Sequence, residues 1–277
     1  MRQPDFVGIG APRTGTTWLF EMLKEHPEVE IPSEKAVNFF NANYEKGKDW
    51  YYDHFSAFKQ KVVGEISPLY FGNSFLGERL HETAPDAKLI LITRDPIERL
   101  SSHVKLIDTL SGNQKSASER VKEHPLLLEH GLYYKHLKEL LKFYDRDKIL
   151  VVSYKEISND APSAYARVTK FLDVDISYRP KGLNEKVGFN ISPKYKWLES
   201  MRKSVHNFLT RNGLSNIIWY LKKKGLTKML RRFNDSSKDQ PVAQVKQAKE
   251  SMELFHDFYK EDLASFEQEF NLNIRNN

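Results

Sequence analysis

The hydrophobic positions of this chain form two alternating patterns over residues 1–172. Short apolar runs rich in Val, Ile and Leu are typical of strands that are buried on both faces of a parallel sheet. These runs are Phe6–Ile9, Lys61–Glu65, Ala87–Thr93 and Lys148–Tyr154. Segments between the runs have apolar residues at helical spacing. Strands that alternate with helices predict an α/β fold with a parallel, doubly wound sheet.

The helical segments complete a predicted layout of one domain. They are Trp18–Leu23, Asp49–Phe58, Asn73–Thr83, Pro96–Leu110, Leu132–Tyr144 and Ala161–Leu172. Gly112–Pro125 is polar and charged, which predicts a mobile excursion near the site. Beyond Lys196 the pattern is helical, with a polar break at Phe233–Gln240 and a long final helix at Val242–Phe270. We predict a single domain over 1–277, with an α/β core (1–195) that carries the site and a helical extension (196–277).

The turn after the first run, Gly10–Thr17, is the most informative stretch for function. It reads Gly-Ala-Pro-Arg-Thr-Gly-Thr-Thr between a predicted strand and a predicted helix. In such a turn the backbone can approach an anion, successive N–H groups point inward, and the helix N-terminus adds partial positive charge. A Walker A loop has Lys directly after its second glycine, whereas this chain has Thr16 there and a cation, Arg13, inside the loop. An ordinary turn that binds nothing has the same glycine spacing, so a second signal is needed.

That second signal follows the run that ends at Thr93. Arg94 comes directly after this predicted strand, and Pro96 predicts that a helix begins there. Ligands in open α/β sheets bind at the carboxyl edge of the strands. A planar guanidinium from Arg94, with the hydroxyl of Ser102 nearby, suits a terminal phosphate monoester.

The two segments together resemble the sulfotransferases that use 3′-phosphoadenosine 5′-phosphosulfate (PAPS). That family has a P-[KR]-[ST]-G-T-T loop and an R-[DN]-P-x-x-R-x-x-S segment, and Pro12–Thr17 and Arg94–Ser102 match both in the same order. The resemblance covers residues 1–195 and is nearer to the bacterial and glycan-type branch, because of the segment Lys35–Phe40. It implies a P-loop-like three-layer fold with a central parallel sheet flanked by helices, plus a C-terminal helical extension.

The resemblance implies PAPS as the sulfuryl donor, 3′-phosphoadenosine 5′-phosphate (PAP) as the product, and no required metal. The loop residues would bind the 5′-phosphosulfate, and Arg13 would stabilise charge on the departing phosphate oxygen. Arg94 and Ser102 would bind the 3′-phosphate, with Arg99 as a further candidate. The full set of implied donor-binding residues is Pro12, Arg13, Thr14, Gly15, Thr16, Thr17, Trp18, Arg94, Ser102 and Lys194.

The residue that takes the acceptor's proton is left open by the sequence. Glycan-type members have a glutamate after the lysine of a K-E-x-x-F-F segment, and this chain has Ala36 there. Glu65, at a predicted strand end, and Glu34, in a predicted loop, are candidate bases, because partial burial raises the pKa of a carboxylate. The rigid strand end favours Glu65, and His103 is a third option. The family often has lysine where Ile66 stands, so the usual acceptor contact differs here.

Two other functions fit parts of the pattern. A P-loop kinase would need Lys at position 16 and a strand ending in Asp for magnesium, where this chain has Arg94. A non-catalytic nucleotide-binding relative would keep the pocket and lose transfer. The expected acceptor is a hydroxyl on a carbohydrate or glycoconjugate, with a small-molecule metabolite as the alternative.

The composition limits the cysteine chemistry and the cellular compartment that we expect for the protein. The chain has no cysteine, which excludes disulfides, thiolate zinc sites and a cysteine nucleophile, and favours a reducing compartment. No apolar run is long enough to span a bilayer, and the N-terminus has no signal-peptide core. We therefore expect a cytoplasmic protein.

The positive net charge is concentrated in one segment. Arg202–Arg232 holds nine Lys or Arg and no acidic residue, interleaved with apolar side chains, while the remaining chain has 34 basic (43 − 9) and 37 acidic residues. Such a segment could contact a membrane surface or an anionic polymer, or be a solvated helix face packed on the core. No recognition module surrounds it, so nucleic acid is not expected as a partner. The sequence leaves the oligomeric state open.

Overall fold

Five parallel strands form the centre of the protein in the computed structural model, which describes residues 2–33, 35–184 and 255–275. They are β1 (Phe6–Gly10), β2 (Val29–Glu30), β3 (Val62–Ile66), β4 (Lys88–Thr93) and β5 (Ile149–Ser153). The strand order is β2-β3-β1-β4-β5, and every neighbouring pair is parallel. The predicted α/β fold is confirmed.

Helices cover both faces of this sheet. They are α1 (Thr16–Glu25), α2 (Gly47–Asp53), α3 (Leu76–Thr83), α4 (Pro96–Ser111), α5 (Ala117–Glu123), α6 (Leu126–Glu129), α7 (Tyr133–Leu140), α8 (Tyr154–Asn159), α9 (Ala161–Leu172) and α10 (His256–Phe270). Successive strand residues point to opposite faces. Val7 and Leu91 therefore join a core cluster with α3, α7 and α10, whereas Phe6 and Ile90 join one with α1 and α9. The result is the expected arrangement of three layers.

The strand order places a crevice between β1 and β4. These neighbours are hydrogen-bonded, but the chain leaves β1 toward β2 at one edge and leaves β4 toward β5 at the other. In open α/β sheets such a switch point leaves room for a ligand outside the carboxyl ends of the strands. The two loops at this point are those that follow Gly10 and Thr93.

The second of these loops is held by two polar contacts. Asp95 caps α4, since its Oδ1 accepts from the N–H groups of Ile97 and Glu98 at 3.0 Å. The buried Tyr133 hydroxyl accepts from the Arg94 N–H at 3.1 Å and donates to the Arg94 carbonyl at 2.8 Å. Arg94 therefore leaves the sheet from a fixed backbone position.

Residues 112–125 differ from the prediction of a mobile excursion, because they contain the helix α5. Ser116 and Glu119 form a reciprocal capping box at its start. Arg120, only 4% exposed, then ties α5 to α4 through Asp108, with Nε donating at 2.7 Å. The sequence carried this signal as Ser-x-x-Glu, but the many charges around it masked the pattern.

The described part of the predicted helical extension, α10, packs in the α/β core. Phe266 lies against Tyr133 with ring centroids 5.6 Å apart. Asp262 accepts from the N–H groups of Tyr134 and Lys135 at 3.0 and 2.8 Å, and so satisfies the first turn of α7.

The rest of the predicted extension lies outside the described residues, including Arg202–Arg232 and Phe233–Gln240. Among the helices that are described, none has both the length and the apolar composition needed to cross a bilayer.

We predict that Asp262→Ala lowers the free energy of unfolding by about 1–2 kcal/mol, because it leaves two amides of α7 without their cap. Urea unfolding measures this loss. Glu261→Ala is the matched control, since Glu261 is exposed in the same helical turn and should change stability by less than about 0.5 kcal/mol. Equal effects of the two changes would contradict the capping role.

Candidate functional site

The loop after β1 has the backbone of an anion-binding turn. Gly15, with φ of 105°, lies directly before α1, and Arg13 also has a positive φ of 72°. The buried Thr14 hydroxyl donates to the Ala11 carbonyl at 2.7 Å and closes the loop on itself. Within the described residues, the N–H groups of Thr14, Gly15, Thr16 and Thr17 have no hydrogen-bond acceptor. These donors at a helix start are suited to an anion.

A hydrogen bond joins this loop to α4. Arg13 Nε donates to Ser102 Oγ at 3.0 Å. Burial, and next the charge of Arg94, lower the pKa of the Arg13 guanidinium. It stays charged, because an arginine does not lose its proton in proteins. The structure therefore brings Arg13, Ser102 and Arg94, three residues predicted from two separate motifs, to one edge of the sheet.

Arg94 lies at the partly exposed side of this group. Its guanidinium donates from Nε and one terminal nitrogen to Glu98, both at 3.1 Å. It also lies over the Tyr154 ring, 4.6 Å from the centroid. A solvent-accessible ion pair of this kind is weak. A phosphate group could therefore compete with Glu98 for this arginine.

Lys35 is a cation of the site that the sequence prediction missed. Its Nζ donates to the hydroxyls of Thr16 and Thr17 at 3.1 and 2.8 Å. Burial, and next the charge of Arg13, lower the pKa of Lys35 to about 8, while Glu21 acts in the opposite direction. The available signal was its place in the segment Lys35–Phe40, although the sequence did not show which way the lysine points.

Glu65, the favoured base, is enclosed by its own hydrogen-bond partners. It is 1% exposed and accepts from the hydroxyls of Tyr51 at 3.1 Å, Tyr70 at 2.5 Å and Ser67, and from the N–H of Val37. Burial raises the pKa of Glu65, and these four donors act in the opposite direction. With its oxygens occupied in this way, Glu65 is placed to support structure, and its predicted role as base has no geometric support.

The cluster of Glu65, Tyr51, Ser67 and Tyr70 fixes the segment after Lys35. Tyr70 Oη also accepts from the Phe39 N–H at 2.7 Å, and Ser67 Oγ accepts from the Asn38 N–H at 3.0 Å. The end of β3 at Glu65 thus fixes the backbone that follows Lys35, and the side chain of Lys35 reaches the loop after β1.

His103 and Arg99 lie deeper than the sequence suggested. Burial, and next the charges of Arg99 and Arg13, lower the pKa of His103 to about 3, which makes it a very weak base. Arg99 is fully buried and donates to the Leu127 carbonyl. This contact links α4 to α6, and the role of Arg99 as a further 3′-phosphate ligand stays a prediction.

The remaining predicted site residues fall into two groups. Pro12 is buried in the loop, and Trp18 is 4% exposed, with its ring edge-on to Tyr165 at 6.5 Å between centroids. The donor-binding role of Trp18 stays a prediction. Glu34 and Lys194 lie outside the described residues, so their predicted roles as base and donor ligand stay predictions too.

The two motifs and the fold agree with a family model that matches most of the chain. Residues 3–266 match the sulfotransferase domain family. The chain belongs to this family.

Several curated sulfotransferases are similar to part of the chain. Membrane-associated sulfotransferase kil1 of Dictyostelium discoideum is 39% identical over 162 residues, which are 57% of this chain and 34% of that protein. Mouse heparan sulfate glucosamine 3-O-sulfotransferase 3B1 is 29% identical over 61% of this chain and 46% of its own length. Human bifunctional heparan sulfate N-deacetylase/N-sulfotransferase 3 is 30% identical over 62% of this chain and 22% of its own length. The chain thus spans less than half the length of these relatives.

Solved sulfotransferase structures share the fold. The sulfotransferase of Alicyclobacillus acidocaldarius superposes with a TM-score of 0.59 at 22% identity, and covers 79% of this chain and 96% of that one. The sulfotransferase domain of the Synechococcus PCC 7002 olefin synthase superposes with a TM-score of 0.50 at 17% identity, and covers 69% of this chain and 82% of that one. At this level of identity the likeness shows the P-loop-like fold.

The predicted independence of metal stays a prediction. In the part of the chain that the structure describes, no group of three or more His, Asp or Glu side chains converges as it would around a metal ion.

We predict that Glu65→Gln lowers the free energy of unfolding by about 2–3 kcal/mol, because an amide nitrogen cannot accept the hydroxyl and N–H donors that now point at a carboxylate. Urea unfolding measures the loss, with Glu78→Gln, exposed on α3, as the control. A large loss of turnover with unchanged stability would instead make Glu65 the base.

Proposed function

We propose that the protein is a PAPS-dependent sulfotransferase that transfers a sulfuryl group to a hydroxyl of a carbohydrate or glycoconjugate. The Arg13–Ser102 hydrogen bond carries this proposal, because it joins the residues implied for the two phosphate-bearing ends of one donor. Membership of the sulfotransferase domain family supports it.

The residues present fit such a donor. PAPS would supply an already activated sulfuryl group, so the protein mainly has to position the reactants and stabilise charge. The N–H groups of Thr14–Thr17 would bind the 5′-phosphate, and Arg94 with Ser102 would bind the 3′-phosphate. Arg13 would hold its positive charge beside the oxygen on which negative charge develops.

The carbohydrate part of the proposal is supported by the relatives. Two of them are named for action on heparan sulfate, and each is similar over about 60% of this chain. A small-molecule acceptor is the alternative outcome of an acceptor screen. The predicted contact of Arg202–Arg232 with a membrane or polymer, and the predicted cytoplasmic location, remain predictions.

Activation of the acceptor is assigned to Glu34 in this proposal. Ala36 has no proton-accepting group, Glu65 is enclosed, and the low pKa of His103 makes it a poor base. Glu34 is then the remaining candidate from the sequence.

The first test is binding and transfer by the whole chain. Calorimetry should show that PAP binds and that ATP, which has no 3′-phosphate, binds far more weakly. A P-loop kinase would show the opposite preference. Transfer from labelled PAPS to a panel of heparan-type polysaccharide, simple glycoside and phenol should favour the saccharides. PAP binding without transfer to any acceptor would indicate a non-catalytic relative.

We predict that Arg13→Ala lowers turnover by about 100- to 1000-fold, because it removes a preorganised cation from the developing charge. Its effect on PAP affinity should be much smaller. Arg94→Ala is the matched comparison and should show the opposite pattern, with weaker PAP binding and a small change in turnover at saturating donor. Unchanged turnover in Arg13→Ala would remove this residue from the mechanism.

We predict that Glu34→Gln lowers turnover by about 100-fold or more, the size of effect expected for loss of a general base. The affinity for PAP should not change, because the donor ligands are intact. The readout is turnover at saturating donor together with PAP calorimetry. Full activity in this variant would exclude Glu34 as the base.

A further inference from the structure

We propose that Lys35 is a donor-binding residue of this site, whose ammonium group contacts the 5′-phosphosulfate oxygens together with the turn Thr14–Thr17. This inference rests on the proposed function and deepens it. Neither of the two motif segments includes this residue.

The contacts of Lys35 place its charge where a donor would lie. Its Nζ is held by the hydroxyls of Thr16 and Thr17, the first two residues of α1. The N–H groups of the same two residues lack acceptors within the described chain. A positive side chain therefore contacts the same two residues whose backbone donors have no acceptor among the described residues.

Lys35 also has no carboxylate within ion-pair distance among the residues that the structure describes. None of the ion pairs among the described residues involves it, and its two acceptors are neutral hydroxyls. The charged groups that face it are Arg13 from the loop, which repels it, and Glu21 from α1, which is not in ion-pair contact. A bound anion would therefore stabilise the charged form of this mostly buried ammonium group.

The backbone next to Lys35 is held in place. The Ala36 N–H donates to the Ile66 carbonyl at 3.1 Å, and the Val37 N–H donates to Glu65. Both acceptors belong to the end of β3. The lysine is thus anchored on the sheet, which is the preorganisation that a binding residue needs.

This environment makes donor binding depend on pH. Without a ligand the pKa of Lys35 is about 8, so the amine is increasingly neutral above that pH. A phosphate or sulfonate beside it favours the charged form and raises this pKa. Binding therefore takes up a proton at alkaline pH, and affinity is greatest below pH 8 and falls as the pH rises above it. The same argument makes Lys35 a cation and not a base during transfer, because the bound donor keeps it protonated.

The test is calorimetry with PAP between pH 7 and 9.5, run in two buffers of different ionisation enthalpy. The phosphate groups of PAP, with a second pKa near 6, are about nine-tenths ionised at pH 7 and fully ionised above about pH 8, so they do not titrate where Lys35 does. The wild type should bind roughly tenfold or more weakly at pH 9.5 than at pH 7, and should take up close to one proton per PAP at pH 9.

Three variants assign the effect to Lys35. Lys35→Met should weaken PAP binding at pH 7 by roughly 10- to 100-fold, as expected for loss of a charge-assisted hydrogen bond. Lys35→Arg should bind PAP at pH 7 but lose the pH dependence and the proton uptake. Lys24→Met, the same charge change at an exposed position of α1, should match the wild type.

The outcomes separate this inference from the proposed function. If the wild type fails to bind PAP at any pH, the proposed function is wrong. If PAP binds with an affinity that does not change with pH, or if proton uptake persists in Lys35→Arg, Lys35 is not the donor contact and the proposed function stands. The wild-type pH profile and the arginine variant decide the matter even if Lys35→Met does not fold.

Discussion

Repulsion between Arg13 and each of two other cations, Arg94 and Lys35, is the constraint around which the site is built. The three cations come from separate segments and meet where β1 and β4 end. Burial is the largest cause of the lowered pKa of Arg13 and of Lys35. Next to burial, the charge of Arg94 lowers the pKa of Arg13, and the charge of Arg13 lowers that of Lys35. Folding therefore keeps together groups that would separate in an unfolded chain. An anion that relieves this repulsion is bound by groups that are already in position.

The contacts that oppose this repulsion lie behind the sheet edge. Tyr133 holds the backbone of Arg94, and Asp95 caps the helix that carries Ser102. Glu65, with its donors, fixes the backbone beside Lys35. These groups are buried or bound within the protein, so their role is to give rigidity. The carboxylates of Glu65 and Asp95 thus support the backbone, whereas the cations lie at the sheet edge.

The sequence predicted the parts of the site that depend on strand ends. Arg13 and Arg94 follow strands, and Ser102 lies in the second turn of the helix that begins after β4. Parallel strands bring such positions to one edge, so two motifs sufficed to place them together. The sequence could not show that Glu65 faces Tyr51 and not the crevice, because its partners come from separate segments and a buried carboxylate has no distinctive pattern.

Local structure set other limits on prediction. The two residues of β2 are too few to produce any periodicity. Lys35 meets hydroxyls that are 18 and 19 residues away in the chain, so only the tertiary fold could show these contacts. By contrast, α5 has a local signal in the sequence, the capping box of Ser116 and Glu119, which the surrounding charges masked. The three-layer fold was predicted well because alternating strands and helices depend on many positions at once.

The position of α10 has a consequence for how the chain can be shortened. The described residues on one side of the gap end with Leu183, which is buried beside α1, and Asn184, and on the other side they begin with Phe255, which packs near α4 and α6. The helix α10 therefore packs in the same core as α7, although it lies far from α7 in the sequence. Truncation before Phe255 would remove Asp262, which accepts from the first amides of α7, and Phe266, which packs on Tyr133. Any shortened chain has to keep α10 joined to the core.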